Sequence, residues 1–172
     1  MGEGVLKGKR ILAVDDEPDI LAVLRDELEN HGVNVDTAQS YELGIQMLSS
    51  YTYDLVVLDI MGVRGFELLS FAVSKGLPVV MLTAHALSAD ALKKSIELGA
   101  RAYVPKDELD QITAFLEDVL TLTYESAWKA LFHKLGGLFG KHFGPDWRKS
   151  EKEFWDEFEK KLQLDKSTII ES

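Results

Sequence analysis

Five short apolar runs, each followed by an amphipathic stretch of helical period, constrain this chain more than any other feature of its sequence. The runs are Ile11 to Val14, Val33 to Val35, Leu55 to Leu58, Val79 to Leu82 and Ala102 to Val104. Runs this short and this apolar suit strands covered on both faces. Helical patterns span roughly residues 18–31, 40–50, 65–75, 88–98 and 107–120, with helix-end signals at Gly32, Gly76 and Gly99. A βα alternation with short connections predicts a parallel sheet, because parallel neighbours need crossovers, and right-handed crossovers place helices on both faces. The expected fold class is α/β, a doubly wound five-stranded parallel sheet.

In a sheet of this kind the functional crevice lies outside the carboxyl ends of the strands. Asp15 and Asp16 follow the first run, Asp59 the third, Thr83 the fourth and Lys106 the fifth. Three carboxylates in one crevice repel and raise one another's pKa unless a cation offsets them. An oxygen-only ligand set suits Mg²⁺, which takes one or two carboxylates together with phosphate oxygens and water. Such a site can transfer a phosphoryl group to a carboxylate. The metal and Lys106 offset charge on the transferring oxygens, and Thr83 hydrogen-bonds one of them. Asp59 is the expected nucleophile, since it stands alone at the end of the central strand. The adjacent pair Asp15 and Asp16 is the expected metal-binding pair.

The segments Val14-Asp15-Asp16-Glu17-Pro18, Leu58-Asp59-Ile60-Met61, Leu82-Thr83-Ala84 and Gly99-Ala100-x-Ala102-Tyr103-x-x-Lys106 resemble the receiver domains of bacterial two-component response regulators, CheY-like, over residues 10–120. The resemblance implies a flavodoxin-like sheet of order 2-1-3-4-5. It also implies phosphorylation of Asp59 by a sensor histidine kinase or a phosphotransfer protein. Mg²⁺ would be held by the side chains of Asp16 and Asp59 and the backbone carbonyl of Met61, with Asp15 helping through water. Thr83 and Tyr103 match the family's switch pair: the hydroxyl moves toward the phosphoryl group and the aromatic ring turns inward. The surface remodelled is then the fourth helix, fifth strand and fifth helix. Apart from self-phosphorylation and self-dephosphorylation, no enzymatic turnover is expected. His85 stands two residues past Thr83, where family members vary the side chain to tune dephosphorylation.

Two departures from the pattern stand out. The loop Asp59-Ile60-Met61-Gly62-Val63-Arg64-Gly65 is about two residues short and lacks the usual proline. Lys106 is followed by Asp107 rather than proline, and a cis bond before a non-proline residue costs about 2.5 to 4 kcal/mol, so a trans or strained bond is expected there.

Beyond residue 123 the texture changes, and 9 of the chain's 16 Phe, Tyr and Trp residues fall in 124–172. Two domains are therefore expected, 1–123 and a small aromatic-rich extension at 124–172. Tyr124, Trp128, Leu131, Phe132 and Leu135 form one helical stripe. Gly136, Gly137, Gly140 and Gly144 interrupt that pattern. Gly144-Pro145 stops the element, Ser150-x-x-Glu153 reads as a capping box, and Phe154, Trp155, Phe158 and Leu162 mark a second helix. The expectation is a helical hairpin that forms its own small core, caps the first domain, or docks a partner or second copy. Thr121-Leu122-Thr123 reads equally as linker or helix.

Residues 1–123 hold 20 acidic and 10 basic side chains and residues 124–172 hold 9 of each, so the net charge of −10 resides in the first segment. An acidic domain repels nucleic-acid phosphates. A DNA-binding transcriptional regulator would also need a basic recognition helix, which the neutral extension does not offer. A haloacid-dehalogenase-type phosphatase would need Asp-x-Asp after the first strand, whereas Asp15 and Asp16 are adjacent. The absence of cysteine, of an apolar leader and of any run near the roughly 20 residues of a membrane span points to the cytoplasm.

Overall fold

A computed structural model describes residues 3–84 and 88–162. His85 and the Ser150 side chain, on which the expected capping box depends, lie outside the described residues. Strands β1 (Arg10–Val14), β2 (Asn34–Ala38), β3 (Leu55–Asp59), β4 (Val79–Thr83) and β5 (Ala102–Pro105) form one parallel sheet of order β2-β1-β3-β4-β5. Val14 pairs with both Ala38 and Leu58, Asp59 with Leu82, and Thr83 with Pro105. The carboxyl ends therefore align, and the residues that leave them meet along one rim.

The two central strands β3 and β4 are buried at every position, as strands covered on both faces must be. Strand β2 differs from its expected span of Val33 to Val35: it runs to Ala38 and leaves Asp36 and Thr37 only half-buried. It is an edge strand, and its two half-buried polar residues are partnered, Thr37 by Arg25 at 3.3 Å. Asp36 accepts from Arg10 at 3.0 Å and from the Tyr53 hydroxyl at 2.8 Å.

A short helix α1 (Glu3–Leu6), which no periodicity foretold, buries Leu6 completely. The crossovers are α2 (Pro18–Glu29), α3 (Tyr41–Ser50), α4 (Gly65–Ser74) and α5 (Ala89–Glu97), followed after β5 by α6 (Ile112–Thr121). Ser40 and Ser88 cap α3 and α5 by accepting from the amides of Leu43 and Ala91 at 3.1 and 3.0 Å. The helix expected over 107–120 is split: Lys106–Gln111 is a 3₁₀ segment with a non-helical Glu108, and the α-helix begins only at Ile112. Among the described residues every peptide bond is trans, the one joining Lys106 to Asp107 included.

Leu122 is extended and Thr123 caps α7 (Tyr124–Phe143), accepting from the Ser126 amide at 3.1 Å. The chain therefore breaks after α6 and folds back on the sheet domain. Contrary to the sequence expectation, Gly136, Gly137 and Gly140 do not interrupt α7. Gly136 and Gly140 lie on its buried face beside Phe132 and Phe139, where tight packing offsets glycine's helix cost of about 1 kcal/mol each. The helix ends at Gly144, whose φ of +93° a side chain would disfavour.

A 3₁₀ turn then leads into α8 (Lys152–Leu162). Trp128, Leu131, Phe132, Phe139, Trp155 and Phe158 join one continuous apolar core with the sheet and its helices. The Trp128 indole donates to the Ala100 carbonyl at 3.2 Å, Phe139 meets Tyr103 edge-on at 5.8 Å, and Lys134 pairs with Asp118 at 3.1 Å. Among the described residues no helix is long and apolar enough to cross a membrane.

Candidate functional site

The carboxyl rim of the sheet carries a cleft of about 220 Å³ whose walls include Asp16, Asp59, Met61, Thr83 and Lys106. The backbone delivers each of them. Asp15 leaves β1 with its amide bonded to Ala38, Asp59 and Thr83 are the last residues of β3 and β4, and Lys106 follows β5 directly. Asp15, Asp59 and Thr83 are buried at 0%, 3% and 1% exposure, whereas Asp16 and Glu17 face solvent. Met61, 64% exposed, stands at the mouth.

Lys106 closes the electrostatics. Its ammonium lies 2.8 Å from Asp15, 3.1 Å from Asp59 and 2.6 Å from Glu17. Burial alone would lower its pKa, but these carboxylates together raise it, so it stays charged. Burial, and then the neighbouring charge of Asp15, raise Asp59 to about 6 against the opposing pull of Lys106. Burial likewise raises Asp15. One ammonium thus does not neutralise the cluster.

The acidic donors of the rim fit a small divalent cation. Asp15, Asp16 and Glu17 can each present an oxygen within 4.8 Å of the others, and all the side-chain donors are hard oxygens. Asp15 Oδ2 is buried against the Lys106 ammonium at 2.8 Å, and a carboxylate oxygen with one such contact keeps a lone pair for another ligand. Glu17 is the residue that sequence reasoning left without a role. Its contact with Lys106 spans 89 positions, and nothing local signals it.

The short loop after β3 is accommodated by two left-handed residues, Gly62 (φ +83°) and Arg64 (φ +54°). A Cβ at Gly62 would collide with the Asp16 carboxylate, and one at Gly65 with the Asp59 carbonyl. The left-handed conformation of Arg64, a cost of about 1 to 2 kcal/mol, is held by its pairing with Glu67 at 2.6 Å and its seat 4.1 Å over the Tyr41 ring. The loop therefore keeps the carboxylates at the rim without the missing residues.

Tyr103 lies inward, fully buried. Its hydroxyl donates to the Ser88 carbonyl at 3.3 Å, and burial raises it to about 12 against the opposing influence of Thr83 and the Ser88 backbone. The Thr83 hydroxyl reaches the Ala84 carbonyl at 3.3 Å. The seven residues singled out from the sequence, Asp15, Asp16, Asp59, Met61, Thr83, Tyr103 and Lys106, thus share one rim of the sheet or the strand leading to it. A second cleft of about 290 Å³ beside Trp147 and Arg148 offers no comparable convergence.

Comparison with known proteins points the same way. The family model "response regulator receiver domain" matches residues 11–117. The transcriptional regulatory protein TcrA of Mycobacterium tuberculosis is 36% identical over 118 residues, covering 66% of this chain and 46% of that protein. DltR of Streptococcus agalactiae, also a transcriptional regulatory protein, is 34% identical over 110 residues, 61% of this chain and 49% of its own. The chain thus spans about half the length of these relatives. The crystal structure of response regulator protein TrrA from Thermotoga maritima in complex with Mg²⁺–BeF superimposes with a TM-score of 0.58 at 35% identity, covering 65% of this chain and 99% of that one. The parallel sheet of order 2-1-3-4-5, the acidic rim and the match over residues 11–117 together make this chain a member of the response regulator receiver domain family, the phosphate-accepting switch module of two-component signalling.

Proposed function

We propose that this chain accepts a phosphoryl group on Asp59 and passes its phosphorylation state on through protein contacts. The observation that carries the reading is the placement of the Lys106 ammonium within 3.1 Å of both Asp15 and Asp59, beside the Thr83 hydroxyl at one strand rim. A receiver domain implies a histidine kinase or phosphotransfer protein as donor. Asp16, Asp59 and the Met61 carbonyl would hold Mg²⁺, with Asp15 assisting through water. The bound ion would supply positive charge to the transferring oxygens.

The chain's own residues do the rest. Asp59, ionised above its pKa of about 6, attacks phosphorus; a P–O bond forms as the bond to the donor's leaving group breaks. Lys106 exchanges a carboxylate contact for a phosphoryl oxygen, and Thr83 donates its hydroxyl to another. The same residues support loss of the group to water, so the only turnover is self-phosphorylation and self-dephosphorylation.

The proposed division is a receiver over 1–123 and an extension over 124–172 that acts on proteins in the cytoplasm rather than on nucleic acid. The relatives are transcriptional regulatory proteins matched over about half their length, and a DNA-binding output is the alternative reading; against it, the aromatics of α7 are core residues. The test is the intact mass of wild type and Asp59→Ala after incubation with acetyl phosphate, with and without Mg²⁺. One Mg²⁺-dependent phosphoryl adduct on wild type alone supports the reading; no adduct on wild type, or an equal one on the variant, ends it.

A further inference from the structure

The face made by α5, β5 and α6 is occupied by the chain itself. Helix α7 lies across β5, bonded through Trp128 to the Ala100 carbonyl at 3.2 Å, and Lys134 reaches α6, pairing with Asp118 at 3.1 Å and lying 5.1 Å over Phe115. The turn before α8 reaches α5, where Lys93 pairs with Glu151 at 3.2 Å and sits 5.3 Å over Phe154. The extension therefore grips both helices that border β5.

At the centre of that grip, Phe139 covers the Tyr103 ring, and both side chains have 0% exposure. Tyr103 lies on β5 beside β4, whose last residue, Thr83, lines the Asp59 cleft. Swinging Tyr103 outward would drive it into Phe139 and lift α7, so the inward ring and the docked helix belong to one state. Two events that favour one state favour each other by the same factor.

We propose that residues 124–162 are an intramolecular partner that docks on the α5–β5–α6 face and, through Phe139 against Tyr103, holds the receiver in the arrangement that accepts phosphate. Phosphorylation in turn tightens the docking of α7. This proposal rests on Asp59 being the acceptor, and its test separates the two.

The experiment compares the full chain with Phe139→Ala, Tyr103→Ala and the double variant, each checked for retained fold by circular dichroism. Phe139→Leu replaces Phe139→Ala should the latter not fold. Phosphoryl incorporation from acetyl phosphate with Mg²⁺ is followed by intact mass, and amide hydrogen exchange is followed over residues 124–143. Phe139→Ala is expected to slow incorporation by about fivefold or more, the low end of ordinary coupling between sites, and to lose that effect when Tyr103 is already Ala. Phosphorylation is expected to slow exchange in α7 of wild type only.

A merely structural Phe139 would change thermal stability but leave the incorporation rate of the folded variant at the wild-type value. Equal incorporation rates with unchanged exchange overturn the proposal while leaving Asp59 as acceptor. If wild type takes no phosphoryl group, the acceptor reading fails, and the exchange of α7 in Tyr103→Ala decides the coupling: unchanged exchange refutes it.

Discussion

Replacing Asp59 with Asn should stabilise the metal-free protein, by an amount that depends on pH. Asp59 is buried against Asp15, and its pKa rises from the ordinary 3.8 to about 6. A carboxyl with a raised pKa binds its proton more tightly in the native state than in the unfolded chain. Stability is therefore greatest in acid and is lost as pH rises through this window. At about 1.36 kcal/mol per pH unit, the interval from 3.8 to about 6 amounts to about 3 kcal/mol lost by wild type above pH 7. Asn keeps the shape and an acceptor for Lys106 but carries no charge, so it avoids that loss.

Urea unfolding of both proteins in EDTA, at pH 4 and pH 7.5, reads the difference directly. The variant should exceed wild type by up to about 3 kcal/mol at the higher pH, or about 6 to 12 °C in Tm for a chain of this size, and by little at the lower. Contributions from other titrating groups largely cancel in the comparison. Added Mg²⁺ should narrow the gap by stabilising wild type more than the variant, since the ion takes the Asp59 charge as a ligand. A variant less stable than wild type at pH 7.5, or an advantage equal at both pH values, would refute the claim that unbalanced carboxylate charge is stored at this rim.

Three further outcomes follow from the same geometry. Lys106→Ala leaves Asp15, Glu17 and Asp59 facing one another without their shared cation; Asp59 should then titrate above 6, and the variant should be destabilised at pH 8 more than at pH 5 in urea unfolding. Gly62→Ala must adopt a φ of +83° and push aside the Asp16 carboxylate, so a loss of about 1 to 2 kcal/mol and at least tenfold weaker Mg²⁺ binding by titration calorimetry are expected. Trp128→Phe keeps most of the buried ring but leaves the Ala100 carbonyl without its donor, costing about 1 to 3 kcal/mol in thermal unfolding and speeding exchange in α7.

The fold was legible because its strands announce themselves twice, by apolar runs and by the polar residues that end them. Asp59 and Thr83 end buried strands, where a charge or a hydroxyl has little structural reason to be. Such residues are informative because burying them costs energy. Strand β2 was misjudged in extent because an edge strand tolerates Asp36 and Thr37, whose partners Arg10, Tyr53 and Arg25 are distant in sequence. The same reason hid Glu17. In α7, glycine suggested interruption, but Gly136 and Gly140 sit where the helix presses on the core, and tertiary contact outweighs propensity. The docking of α7 on β5 depends on contacts such as Tyr103 with Phe139, which no local pattern encodes.

The covering of β5 also bears on how copies of this chain can add to one another. A parallel sheet has two open rims of backbone donors and acceptors, and either can template a further strand. Among the described residues every residue of β5 is buried, whereas β2 exposes Asn34 and leaves Asp36 and Thr37 half-buried, so β2 is the more open rim. Two molecules meeting through β2 would be related by a two-fold axis and would form a ten-stranded sheet ending in β5 on both sides. Strand addition through β2 alone would therefore stop at two copies.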